Sequence, residues 1–177
     1  MNAVHHPMAL RIGLGVAAVA ALITTTTGIA HAEGSDHRFP LNNIPADIPA
    51  DVCGFPIHIG VVDDREYWVK QTDNPDGSTT MQVAGTLINS LTNMDTGGTI
   101  IYNNGGPGTF TLFPDGHATL NFQGSSMAWI RAEHQAQLGA PALRLTSGHV
   151  VGTVDTSGDI VDLSATGNIV DGCALLS

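Results

Sequence analysis

The stretch "HATLNFQG", residues 117–124, alternates without a break. Ala118, Leu120 and Phe122 fall on one face, and Thr119, Asn121 and Gln123 on the other. A period of two marks a strand with one buried face, because successive side chains of an extended chain point to opposite sides. Just upstream, "PDG" at 114–116 supplies tight-turn residues, and "TFTLF" at 109–113 is a second strand pattern. This strand–turn–strand unit sets the reading of the rest of the chain.

The unit recurs in both directions. "FPIHIGVV" (55–62) and "EYWVK" (66–70) flank an acidic corner at Asp63-Asp64. "DNPDG" (73–77) is a turn, and "TTMQVAGTLINSL" (79–91) reads as one long strand with Gly85 as a bulge or bend. "DTGG" (95–98) makes the next hairpin, and "TIIYN" (99–103) leads into "NNGGPG" (103–108). "ALRLTSGHVVGTVD" and "DIVDLSATGNIVDG" flank the last turn, "DTSGD" at 155–159. "MAWIRAEHQAQLG" (127–139) has helix formers and a Gly stop followed by Pro141, so it predicts the one additional short helix. About eight strands joined by short turns make an all-β antiparallel meander, and eight strands can close into a small barrel.

The first 32 residues read as a secretory signal. An apolar run, "IGLGVAAVAALI" at 12–23, is followed by Ala30-His31-Ala32, a small-x-small cleavage pattern. The run is shorter than the roughly 20 residues a bilayer core requires, so no membrane anchor is expected once the signal helix is removed. Residues 33–52 carry Pro40, Pro45 and Pro49 and read as an extended arm; the barrel domain is expected over 53–177. The chain holds 16 Asp and Glu against six Lys and Arg, net −10. Such a charge repels phosphate backbones and anionic headgroups, which argues against nucleic-acid and membrane-surface partners.

Cys53 and Cys173 are the two cysteines. In an exported chain an even pair at this separation predicts a structural disulfide rather than a redox pair, whose cysteines lie close in sequence. Cys53 precedes the first strand of the predicted domain and Cys173 follows the last. A bridge would therefore clamp the seam of a closed barrel; a sandwich allows it too.

Motifs for chemistry are missing at the positions that could carry them. "NNGGPG" lacks the following helix and the lysine of a phosphate loop, and Pro107 removes a backbone donor from it. It reads as a strand-to-strand corner. His37, His58, His117, His134 and His149 lack ligand spacing and read as surface histidines; no metal or cofactor is expected. "DTSGDIVD" (155–162) lacks the spacing of a calcium loop. Asp63, Glu66 and Tyr67 cluster as possible acid or base groups, but Glu66 and Tyr67 would point to opposite faces of a strand. If the barrel is hollow, Tyr102, Phe110, Phe122 and Trp129 are the residues expected to line or cover its cavity.

The segments "DVCGFPIHI", "LTNMDTGGT", "GGPGTFTLFPDGHATL" and "GHVVGTVDTSGDIVDLSATGNIVDGCALLS" together resemble a family of small secreted actinobacterial proteins of unknown function. The resemblance spans about residues 51 to 177 and implies an exported β fold. Its motifs are turns and cysteines, so it implies no catalytic residue. The sequence thus leads to a secreted, non-enzymatic β-barrel that binds a small apolar ligand or a surface partner. The alternatives are a small barrel enzyme of the isomerase or cyclase kind, or a purely structural envelope protein.

Overall fold

The computed structural model describes residues 39–177. The expected signal helix over 1–32, residues 33–38 of the expected arm and His37 lie outside the described residues. The arm contributes β1 (Phe39–Pro40), β2 (Ala46–Ile48) and the start of α1 (Ala50–Cys53). The strands β3 (Ile57–Asp64), β4 (Tyr67–Asp73), β5 (Thr79–Ala84), β6 (Leu87–Asn93), β7 (Thr99–Asn103), β8 (Gly108–Leu112) and β9 (Ala118–Trp129) follow. Then come α2 (Ala132–Leu138), β10 (Leu143–Val154), β11 (Ile160–Asp171) and α3 (Gly172–Leu176). All pairings are antiparallel.

Among the described residues the strands form two sheets and no closed barrel. One has seven strands in the order β1-β4-β5-β8-β9-β10-β11, the other four in the order β2-β3-β6-β7. The meander expected from the sequence is present, but it is folded. The chain passes from the small sheet to the large one at 65–66, back at 85–86, and over again at 104–107. The run 79–91, which reads as a single strand, is therefore two strands in two sheets, broken at Gly85. Gly85 has φ +131°, and a Cβ there would stand 2.3 Å from the Arg65 carbonyl oxygen. Only glycine combines that backbone conformation with that approach.

The three corners stack on one another. The Arg65 amide donates to the Thr86 carbonyl (2.8 Å) and the Asn104 amide to the Leu87 carbonyl (2.7 Å). The line continues across the large sheet as a register row of glycines, Gly124↔Gly148↔Gly167. "NNGGPG" is the joint between the two parts: a Cβ on Gly106 would lie 2.2 Å from the Gln123 carbonyl oxygen. A glycine row with no side chains to fill the bend lets a twisted sheet fold sharply. On one side of this seam Met81, Phe110, Leu120, Val154 and Ile160 form a core within the large sheet. On the other, Leu91, Ile57 and Ile59 of the small sheet pack against Trp129, Leu143 and Leu145.

Closure fails because the arm takes the edge that the last strand would need. Phe39 and Pro40 pair with Trp68 and Tyr67 on β4, and Ala46, Asp47 and Ile48 pair with Ile59, His58 and Ile57 on β3. The start of β3 (Ile57–Ile59) and the start of β4 (Tyr67, Trp68) are thus paired with the arm on their outer edges, and β11 stays at the far edge of the large sheet. Cys53 and Cys173 are nevertheless joined, across a sequence separation of 120. The bridge links α1 to α3 rather than one strand to its neighbour.

Two helical expectations also change. The helix predicted over 127–139 is confined to Ala132–Leu138, because Met127 and Trp129 pair with Leu145 and Leu143 and extend β9. The helices α1 and α3, four and five residues long, are additional; runs so short leave no helical period in a sequence. Their caps explain the Cys53-Gly54 and Asp171-Gly172-Cys173 motifs of the sequence. Gly54 (φ +84°) ends α1, and the Asp171 carboxylate accepts from the Cys173 and Ala174 amides to start α3. Buried Asn93 caps the 93–98 turn through its Oδ1 and donates from Nδ2 to the Leu176 carbonyl, fastening the chain's end to the small sheet.

Candidate functional site

The folded seam encloses a cavity of about 70 Å³. The large sheet supplies Trp68, Val83, Phe110, Phe122 and Met127; β6 adds Leu87, and the arm adds Leu41 as part of its wall. Polar groups come from the arm, the corners and the middle of β9: Asn43, Glu66, Asn104, Gln123, Ser125 and Ser126. Glycine again shapes the wall. A Cβ on Gly108 would meet the Phe122 ring at 2.0 Å, so the ring lies where only glycine leaves room.

Of the four aromatics expected at a cavity, Phe110 and Phe122 line this one. Trp129 and Tyr102 are not among its lining residues. Trp129 is buried with Leu143 and Leu145 in the other core. Tyr102 packs against that core, and its hydroxyl is shared between the Ser126 carbonyl (3.1 Å) and the Thr146 carbonyl (2.8 Å). It therefore ties β7 to β9 and β10 where the two sheets separate, and burial raises its pKa.

Glu66 is the titratable group of the cavity wall. Sequence reasoning weighed it beside Asp63 and Tyr67 as a strand residue, but it stands in the β3–β4 corner, where strand alternation does not apply. The arm holds it in place. Leu41 donates its amide to the Glu66 carbonyl (2.9 Å), and Asn43 Nδ2 donates to Glu66 Oε2 (3.0 Å) and to Asp64 Oδ2 (3.2 Å). The Asn43 amide also reaches Asp64 Oδ2 (3.0 Å), and the Glu66 amide reaches Asp64 Oδ1 (3.0 Å). Arg65, between the two acids, turns outward to Asp63 (2.7 Å). Burial pushes the Glu66 carboxyl up to about 7; the Asn43 bond opposes this and the Asp64 charge adds to it.

This shift has a consequence for stability. The folded state holds the Glu66 proton more tightly than the unfolded chain, whose glutamate titrates near 4.5. Its contribution is thus fully present below about pH 4.5, is lost as pH rises to about 7, and is constant above that. Glu66→Gln keeps an acceptor for Asn43 without the charge. At pH 8 the variant is expected to be more stable than the parent by about 1–2 kcal/mol, after allowance for solvent screening at the cavity mouth. At pH 4 the two should be equal. Urea unfolding at both pH values measures this, and an equal difference at both would refute it.

Three of the described histidines serve local structure. His58 pairs with Asp47 (2.8 Å), and His149 bonds Asn121 (2.9 Å). His117 bonds Asp115 (2.5 Å) and stacks on Phe113 with ring centroids 4.2 Å apart. The Asp155 carboxylate is committed to the amides of Ser157 and Asp159 within its turn. Glu133, His134 and Asp159 bring their ligand atoms within 4.8 Å of one another, with Glu133 exposed. Arg144, buried in β10, is satisfied by the carbonyls of Leu138, Gly139 and Pro141 and so closes the end of α2. No described helix is long and apolar enough to cross a membrane.

The chain matches no protein-family model, no curated protein and no solved structure.

Proposed function

We propose that this is an exported binding protein that takes the end of a small molecule into the cavity at the glycine seam. The observation that carries the reading is a single carboxyl, Glu66, set in a largely apolar wall and held there by the arm. A few placed polar groups on an apolar lining are the pattern of a small-molecule site. The size limits what is enclosed. About 70 Å³ is far below the roughly 300 Å³ at which pockets begin to enclose whole drug-sized ligands. The cavity holds a headgroup and a short apolar stem, and the rest of the ligand lies over the mouth. Binding is favoured over catalysis because Glu66 has amide and hydroxyl neighbours in the lining rather than a second proton carrier or an activated nucleophile. Export rests on the signal pattern ending at Ala32 and agrees with the formed disulfide. The same compartment is that of the secreted actinobacterial family the motifs resemble.

A ligand-observed NMR screen of small fragments tests this. Fragments should bind the parent protein, and Val83→Phe, which fills the cavity from β5, should weaken them at least tenfold. Binding that survives the filled variant unchanged would move the site elsewhere.

A further inference from the structure

We infer that the ligand's buried end is a small organic cation, an ammonium or guanidinium group on a short apolar stem, and that Glu66 receives it as a carboxylate. The inference rests on the reading of the cavity as a binding site and names the class of its ligand. Three observations point to it.

The first is an uncompensated pair of acids. Asp64 and Glu66 share the Asn43 side chain as a common donor, and no lysine, arginine or histidine is among the lining residues. From the arm Glu66 meets Asn43, and from its own corner it meets Asp64. The lining parts of β4, β5, β6, β8, β9 and the 104–107 corner bring no charge. Arg65, the one cation in that corner, is spent on Asp63. A charge in such a site is stabilised by an opposite charge far more than by a neutral dipole, because the low dielectric strengthens the pairing.

The second is the wall. Trp68, Phe110 and Phe122 line the same cavity as the carboxyl, and aromatic surface accepts organic cations and the alkyl groups attached to them. The third is the long-range field. A chain of net charge −10 draws cations toward an acidic mouth and turns anions away.

The proton balance is simple. When Glu66 is protonated, an incoming ammonium displaces that proton to solvent; when it is ionised, none is released. Because burial holds the carboxyl near 7, affinity for a permanently charged amine should be about tenfold weaker at pH 6 than at pH 8.

The test is an NMR titration of the full mature chain with three probes of equal length: n-butylamine, n-butanol and butyrate. The amine should bind at least tenfold more tightly than the alcohol at pH 8, and butyrate should be weakest. Glu66→Gln should abolish both the preference for the amine and its pH dependence. Amine and alcohol binding equally well, with both lost in Val83→Phe, would overturn the cation assignment and leave the cavity as a binding site. Tightest binding of butyrate would overturn it too. If none of the three binds the parent protein, the cavity reading falls and the inference with it.

Discussion

Removing the Cys53–Cys173 bridge is expected to lower the unfolding free energy by about 4–5 kcal/mol. The estimate follows from the loop it closes, because the two residues are 120 apart in sequence and the unfolded chain regains that freedom when the bond is gone. The helices α1 and α3, which the two cysteines join, are far too short to persist on their own. The double variant Cys53→Ala/Cys173→Ala should show a lower urea midpoint with a steeper slope, because the unlinked denatured chain is more expanded. Amide exchange should speed up most in α1, α3 and β2, and least in β8 and the first half of β9. A loss below about 1 kcal/mol would mean that the ends of the chain are held by packing alone. The unreduced protein, denatured, should yield no reactive thiol, since both cysteines are paired.

The second large effect is expected at the seam. Gly148 sits between Gly124 and Gly167 in register, and a Cβ there would lie 1.9 Å from the Thr166 carbonyl oxygen. That neighbour is backbone and cannot rotate away. Gly148→Ala should therefore force β10 from β11 and cost about 2–3 kcal/mol, the upper range for overpacking, with Gly148→Val worse. Gly98→Ala is the control. Its Cβ would meet only the Thr96 hydroxyl, at 3.4 Å, in an exposed turn, and should change stability by less than about 0.5 kcal/mol. Thermal or urea unfolding of the two variants gives the comparison. Equal behaviour would mean that the close approach at Gly148 does not hold the bend.

These two features bear on the cavity. It exists because the chain crosses between sheets at three stacked corners, and it is walled by an arm anchored to the outer edge of β3 and β4. The bridge closes the chain beyond the arm. The glycine row keeps side chains out of the bend. Glu66 reaches the cavity because it occupies one of those corners, and Asn43 holds it there because the arm runs past the same point.

How much of this was written in the sequence can be judged residue by residue. The alternation in 117–124 correctly marks the first half of β9, and the turns at Gly77, Gly97, Gly116 and Gly158 all adopt positive φ as their neighbours require. The disulfide was legible because two cysteines have one pairing to make. Each of these is a local property, set by a few adjacent residues. Gly85 could be read as a bend, but not as a change of sheet. The arm's prolines marked it as extended, yet they did not show that it would fill the edge that barrel closure needs. Glu66 looked like a strand residue that faces away from Tyr67. A period of two is the same in an open, folded or closed sheet, so closure is invisible to it. By itself, then, the sequence determined the antiparallel β meander, its hairpin turns and its covalent clamp. Only the tertiary structure decided that the meander folds along a glycine seam and stays open, and that a carboxyl near neutrality is left inside. Those outcomes depend on which distant backbone competes for a strand edge and how closely two corners approach.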